Sequence, residues 1–358
     1  MQKINYRPIP NEGVRSVNSS CFTDLIDQTV YQNEDLHHLR SYYYLHGQLG
    51  YINWTRETDI FQYYEPHILE YLKNGQAYYV FDASAEGYNP LEDPHPFVHM
   101  LYYNCEKYGI DPSRIIYASA NMMDEVNVGN FIRESGKKPI NVFSFPSFEM
   151  IFPPIIDACP DETSKVRLIE KYFSESVQRC FDNYTDKFFS SLSRRTRYYR
   201  MFATFMLCQS SIKEHALISH DSYMDNHYLT SELLARFKLS PSDYGLWLKS
   251  LPLTIDKDDF KINWALDLED FKKIHDRTLF QVVNETEQDD RNGNALFYSE
   301  KTYRPMITFQ PFLIYGQMGA NRYLAKFGYK TYEDWFNYDF DDEPDHYVRY
   351  QKLLRSIT

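Results

Sequence analysis

The chain has 358 residues, 43% of them hydrophobic and 25% charged, with a formal net charge of −12. That length suggests about two globular domains. The acidic balance argues against non-specific nucleic-acid binding as the main activity, because phosphate neutralisation needs clustered Lys and Arg. No apolar stretch approaches the ~20 residues of a membrane helix. The start, MQKINYRPIPNEG, lacks the apolar core of a secretory signal. Five cysteines (Cys21, Cys105, Cys159, Cys180, Cys208) are scattered and never in CxxC spacing. Free thiols in a reducing, cytoplasmic compartment are expected, with neither a disulfide framework nor a zinc site.

In chain order, Asp59–Leu72 reads as a helix and Ala77–Asp82 as a strand stopping at a carboxylate. Pro94–Tyr108 is helical, Arg114–Ala118 a strand, Asp124–Glu134 a helix and Ile140–Phe145 a strand. Polar, Pro-rich material follows, then a helical stretch over Ser164–Arg179. A second alternating series begins with a strand at Lys187–Ser191 and a helix at Thr196–Cys208. It continues with strand Ala216–Ser219, short helices at Ser231–Phe237 and Tyr244–Ser250, helix Leu268–Asp276 and strand Thr278–Asn284. Ser299 then opens a helix as its N-cap. The apolar run Pro311–Tyr315, ending on Gly316, is a buried strand, and helix Gly319–Phe327 and an acidic, then helical tail follow.

Repeated strand–helix–strand units predict an α/β fold with parallel sheets. The division expected is an N-terminal Rossmann-like domain over 1–185, a second one over 186–340 and a C-terminal helix over 341–358. Ligands of such sheets bind outside the carboxyl ends of the strands, so the candidate residues are those the pattern delivers there.

Four groups qualify. Tyr298–Gly316 (YSEKTYRPMITFQPFLIYG) crowds Ser299, Glu300, Lys301 and Arg304 at a helix start beside a buried strand. A helix N-terminus is a ready anion site, although a solvated helix end with an i,i+4 Glu–Arg pair fits the same residues. Ser193–Arg200 (SRRTRYYR) places Arg194, Arg195, Arg197 and Arg200 within seven residues at a strand-to-helix turn. The arginine fork suits a diphosphate; the alternative is a solvated basic face. Asn284 and Glu285 end a strand, where a carboxylate can hold ribose hydroxyls; the alternative, stronger for this group taken singly, is a loop carboxylate in water. In the first half, Asp82 and Glu86 end or follow a strand and are candidate general bases, Asp82 equally a turn cap. No GxGxxG, P-loop, HExxH or GxSxG occurs, and no DxD ends a predicted strand. No metal site and no cofactor is therefore expected.

The segment FYSEKTYRPMITFQPFLIYG resembles the donor-binding motif of two-domain GT-B glycosyltransferases, especially fucosyltransferase-like enzymes and their phage and bacterial relatives. Glu300, Lys301, Arg304 and Pro305 fill that pattern. Ser193–Arg200 resembles the relatives' Arg-rich stretch, with Tyr199 where they usually carry His. Asn284–Thr286 matches a strand end in them, and Phe327–Trp335 a further segment. The resemblance covers residues 187–340, and the first 180 residues match only loosely.

It implies two Rossmann-like domains facing each other across a cleft. It also implies metal-independent transfer of a sugar from a UDP- or GDP-sugar to an acceptor hydroxyl. Arg195, Arg200 and Lys301 would neutralise the leaving diphosphate, and Glu285 or Glu300 would hold ribose or donor-sugar hydroxyls. A first-domain carboxylate would deprotonate the acceptor: a glycan, a small molecule or a modified DNA base. Two other readings remain open, a phage DNA glycosyltransferase acting on a hydroxymethylated base and a non-catalytic nucleotide-sugar-binding protein.

Overall fold

The computed structural model describes residues 43–48, 54–62, 64, 66–84, 87–93, 95–148, 161, 163, 166–167, 170–171, 173–175, 177–178, 185–193, 197–220, 229–253, 274–286 and 295–358. The chain forms two compact units, Met1–Ser147 with Asn294–Phe297, and Phe148–Gly293 with Tyr298–Thr358. The sequence reading places the domain boundary near residue 185, whereas the first unit's main segment ends at Ser147. There the Ser147 hydroxyl closes the first unit by donating to the Ser84 carbonyl at 2.5 Å. The return of Asn294–Phe297 to the first unit has no sequence signature. It rests on Asn121, whose Oδ1 accepts from Leu296 N at 2.9 Å, and on Met122 N, which donates to Leu296 O at 2.8 Å.

Within the first unit, four strands pair in parallel in the order β1 (Tyr43–Gln48), β2 (Ala77–Ala83), β3 (Ile115–Ser119) and β4 (Asn141–Ser144). Among the described residues, the α-helices α1 (Pro66–Lys73), α2 (Phe97–Tyr108) and α3 (Asp124–Ser135) intervene. Alternation puts Ala77, Tyr79, Phe81 and Ala83 on one face, in a single core with Phe97, Leu101 and Val128 from the helices. Burial of each large side chain contributes about 1.5–3 kcal/mol. The helix expected from Asp59 begins only at Pro66, because Asp59 is taken by Tyr108 OH and Lys107 Nζ, each at 2.8 Å, and by Phe61 N. β1 was not expected at all.

The second unit carries a parallel sheet in the order β6 (Ala216–His220), β5 (Lys187–Ser193), β7 (Thr278–Asn284), β8 (Phe312–Tyr315). From β5 the chain runs through α4 (Tyr198–Gln209) to β6 on one side; from β7 it runs through α7 (Glu300–Ile307) to β8 on the other. The strand order therefore reverses between β5 and β7. Short helices α5 (Ser231–Arg236) and α6 (Pro241–Leu248) follow β6. The start of α6 is set by Ser240, which caps Asp243 N, with Pro241 in the first turn. That places it three residues ahead of the sequence reading. Helices α8 (Ala320–Lys326) and α9 (His346–Ser356) complete the unit. The tail is not a separate element: Tyr350 and Leu353 of α9 lie in the same core as Phe202, Phe280 and Leu313.

Past the end of α7, Phe309 takes φ 53, the left-handed region. Gln310 N bonds the Pro305 carbonyl at 2.8 Å and Phe309 N bonds that of Met306 at 3.1 Å. This is a helix-terminating motif that usually places glycine where Phe309 stands. A bulky residue there costs about 1–2 kcal/mol.

Candidate functional site

Ligands of open parallel sheets bind outside the carboxyl ends of strands where the order reverses. In the second unit that point is the end of β5 and β7. β7 delivers Asn284, Glu285 and Thr286 there, and Ser299 caps α7 by accepting from Lys301 N at 3.3 Å, the N-cap role expected from the sequence.

Glu285 is 1% exposed. Its Oε1 accepts from Ser299 N at 3.0 Å and from Thr302 Oγ1 at 2.5 Å; its Oε2 accepts from Ser299 Oγ at 2.6 Å and Thr286 N at 2.8 Å. A carboxylate has about four lone-pair positions, and these four donors fill them. The carboxylate thereby fixes the start of α7 against the end of β7. The backbone of β8 comes close because Gly316 lacks a side chain: a Cβ there would lie 3.2 Å from Glu285 Cβ and 3.2 Å from Ile314 Cγ2. Arg349, buried on α9, holds the Gly316 carbonyl through Nη1 at 2.8 Å. Gly316→Ala is expected to destabilise the unit by about 1–3 kcal/mol through overpacking, which a shifted urea midpoint with unchanged slope would register.

Two cations meet over this frame. Arg200, the third residue of α4 and 3% exposed, donates from Nε to the Glu285 carbonyl at 3.2 Å and from Nη2 to Thr286 Oγ1 at 3.0 Å. Lys301, in the first turn of α7, places Nζ 3.0 Å from the same Thr286 Oγ1 and 2.8 Å from Glu300 Oε1. Arg304 stands 3.9 Å from that Glu300 oxygen, as the i,i+4 pair expected from sequence. Burial pushes the Lys301 ammonium below the ordinary lysine range and the Arg200 charge adds to this, outweighing Glu300 and Glu285. Burial raises the Glu300 carboxyl, but Lys301 and Arg304 hold it below the usual carboxylate range. A lysine in a first helical turn also opposes the helix dipole. Two positive charges are therefore gathered at the carboxyl end of β7, in a buried setting that works against the charge on Lys301.

Asn284, 1% exposed, donates from Nδ2 to Ser191 Oγ at 2.9 Å and Ser193 Oγ at 3.3 Å. These serines share the face of β5 with Phe189, a polar alternation in KFFSSLS that could have flagged them. Thr286, Thr302 and Gly316 lie inside the sequence segments singled out, but no local signal announces their contacts with Glu285 and the two cations. Arg197 stands half-buried at the cap position of α4. Arg194, Arg195 and Glu86 lie outside the described residues.

In the first unit, Asp82 is 4% exposed and its Oδ1 accepts from Ser84 N at 2.9 Å and Ser84 Oγ at 2.6 Å, closing the turn after β2. Nearby, Asp124 accepts from Ser119 Oγ at 2.5 Å and Asn121 Nδ2 at 2.6 Å, and burial pushes its carboxyl well above the usual range. Asn121 is thus oriented to hold Leu296.

Among the described residues no group of three or more His, Cys, Asp or Glu is placed to hold a metal ion, and no helix is long and apolar enough to cross a membrane. In comparisons with known proteins, no family model matches the chain, and neither a curated protein nor a solved structure matches it.

Proposed function

We propose that this chain is a glycosyltransferase of GT-B type, moving a sugar from a nucleoside-diphospho-sugar to an acceptor hydroxyl without a metal ion. The observation that carries the reading is the convergence of Arg200 and Lys301 on one oxygen, Thr286 Oγ1, at the reversal point of the second sheet. Two cations so close repel each other, and a bound diphosphate relieves that repulsion. The two parallel α/β units fit a GT-B architecture, with the second as donor side.

Glycosyl transfer builds positive charge at the anomeric carbon and negative charge on the departing diphosphate, as expected by analogy with glycoside hydrolysis. Arg200 and Lys301 are preorganised to meet the developing negative charge. The filled carboxylate of Glu285 favours a positioning role for it. Glu300, held ionised by Lys301 and Arg304, is then the better partner for a ribose or donor-sugar hydroxyl. In this architecture the acceptor's proton goes to a first-unit carboxylate, Asp82 or Glu86.

The test is calorimetric titration with UDP, GDP and their sugars, followed by a panel of nucleotide sugars scored for nucleoside diphosphate release with and without acceptors, duplex DNA carrying hydroxymethylated bases among them. Saturable binding of at least one nucleotide and acceptor-dependent release are expected. No heat of binding with any of them would sink the proposal, and binding without release would leave a nucleotide-sugar-binding protein.

A further inference from the structure

The segment that leads into α7 belongs to the two units in turn. Asn294–Phe297 is part of the first, and the chain re-enters the second at Tyr298. Leu296, Phe297, Tyr298 and Ser299 form neither helix nor strand, yet each is at most 2% exposed. They make a short buried strap.

The first unit grips one end of the strap by its backbone. Asn121 Oδ1 accepts from Leu296 N at 2.9 Å, and Met122 N donates to Leu296 O at 2.8 Å. Both residues follow β3. The Asn121 amide has a single orientation, because Met123 N also donates to its Oδ1 at 3.1 Å and its Nδ2 donates to the Tyr88 carbonyl at 3.3 Å. Gly87, in the loop after β2, completes the grip. A Cβ there would lie 2.2 Å from Phe297 Cβ, so a side chain at this position and the strap exclude each other.

The other end is held by the second unit. Tyr298 OH donates to the Ala320 carbonyl at 2.5 Å, and Ser299 gives its N–H and its hydroxyl to Glu285. Lys301 N donates in turn to Ser299 Oγ at 3.3 Å. The cap of α7, and with it the turn that carries Lys301, therefore follows the first unit's grip by three residues. Planar peptides of fixed length do not stretch, and burial at every position leaves no slack. A shift of Leu296 is passed on to Ser299, and so to Glu285 and the first turn of α7.

We propose that Asn121 and Gly87 are positioning residues for the cation pair of Arg200 and Lys301, acting through the strap Leu296–Ser299. The first unit's hold on Leu296 then sets the second unit's affinity for a nucleoside diphosphate. Sheets of this kind take ligands at the carboxyl ends of their strands, and the strap is seated on the residues that follow β2 and β3. A ligand there that alters the hold changes nucleotide affinity, and nucleotide changes that ligand's affinity by the same factor. The choice of nucleotide rests on the glycosyltransferase reading; the strap does not.

The test compares the full chain with Asn121→Ala, with Gly87→Ala, and with two glycines inserted between Phe297 and Tyr298. The insertion slackens the strap and touches neither anchor, so it reads the coupling independently of any loss of first-unit stability. UDP and GDP are titrated by calorimetry, and amide hydrogen exchange is followed at Ser299 and Lys301 and within β7. Each change should speed exchange at Ser299 and Lys301 and leave β7 protected. Each should weaken nucleotide binding about fivefold or more, the lower end of measured coupling between sites. Asn121→Ala added to the glycine-inserted chain should have no further effect on binding. Wild-type exchange at Ser299 together with wild-type nucleotide affinity in the inserted chain overturns the proposal, whatever the first-unit variants do to stability. Additive losses in the combined variant overturn it as well. Exchange at Ser299 that responds to the strap, in a chain that binds neither UDP nor GDP, keeps the coupling and removes the donor reading.

Discussion

Lys301→Ala and Arg200→Ala should each lower sugar-transfer turnover tenfold or more, which corresponds to at least about 1.4 kcal/mol of lost transition-state stabilisation. Both side chains approach Thr286 Oγ1 from different helices, and Lys301 shares Glu300 with Arg304. The Lys301 arm has a pH signature of defined sign. Its ammonium titrates below the ordinary lysine range because of burial and Arg200. Diphosphate affinity should fall as pH rises through that lowered value, and Lys301→Arg should move the fall to higher pH. Stability runs the other way. Between the lowered folded value and the ordinary unfolded one, the unfolded chain binds more protons, so the unliganded unit gains stability with pH. Opposite slopes for binding and stability over one pH window would identify Lys301. Near-wild-type turnover in both alanine variants would remove the phosphate assignment.

Glu285→Ala should be the most damaging substitution for stability. It strips acceptors from two backbone N–H groups, Ser299 and Thr286, and from two hydroxyls, Ser299 and Thr302. The hydroxyls can turn elsewhere; the backbone donors cannot. One buried and one part-buried donor left unmade cost about 2–3 kcal/mol, equivalent to a melting-temperature loss of roughly 4–12 °C for a unit of this size. Glu285→Gln should fall between, since it keeps the shape but turns an NH₂ toward donors. Thermal unfolding separates the two roles for this residue: a carboxylate that served only to hold a sugar hydroxyl would lose affinity on substitution without losing stability.

The parallel α/β character was legible in the sequence because strand-like and helix-like pieces alternate, and Ser299 was legible because a cap residue stood before a charged turn. The strand order was not. Nothing local in Lys187–Ser193 says that it lies beside Thr278–Asn284, and that adjacency is what turns two separate motifs into one site. The contacts of Thr302 and Gly316 with Glu285 were illegible for the same reason: a threonine inside a helix and a glycine after a strand acquire this meaning only once Glu285 packs against them. Glu285 itself was read as a ligand group because strand-end carboxylates often are, and its four internal donors could not be foreseen from its neighbours in the chain. The strand β1 escaped notice because it is short and carries Gly47 in its interior, a residue that weakens a strand pattern.

Arg200 and Glu285 are 85 residues apart in sequence, on the two halves of a sheet that reverses direction between them. The cation pair therefore exists only when both halves have docked, and an anion that bridges it binds the assembled unit and not its parts. By mass action, a nucleotide at a hundred times its dissociation constant would add about 2.7 kcal/mol to the stability of the second unit. Its ligand would then act as a staple across the central seam of the sheet, slowing the separation of the halves.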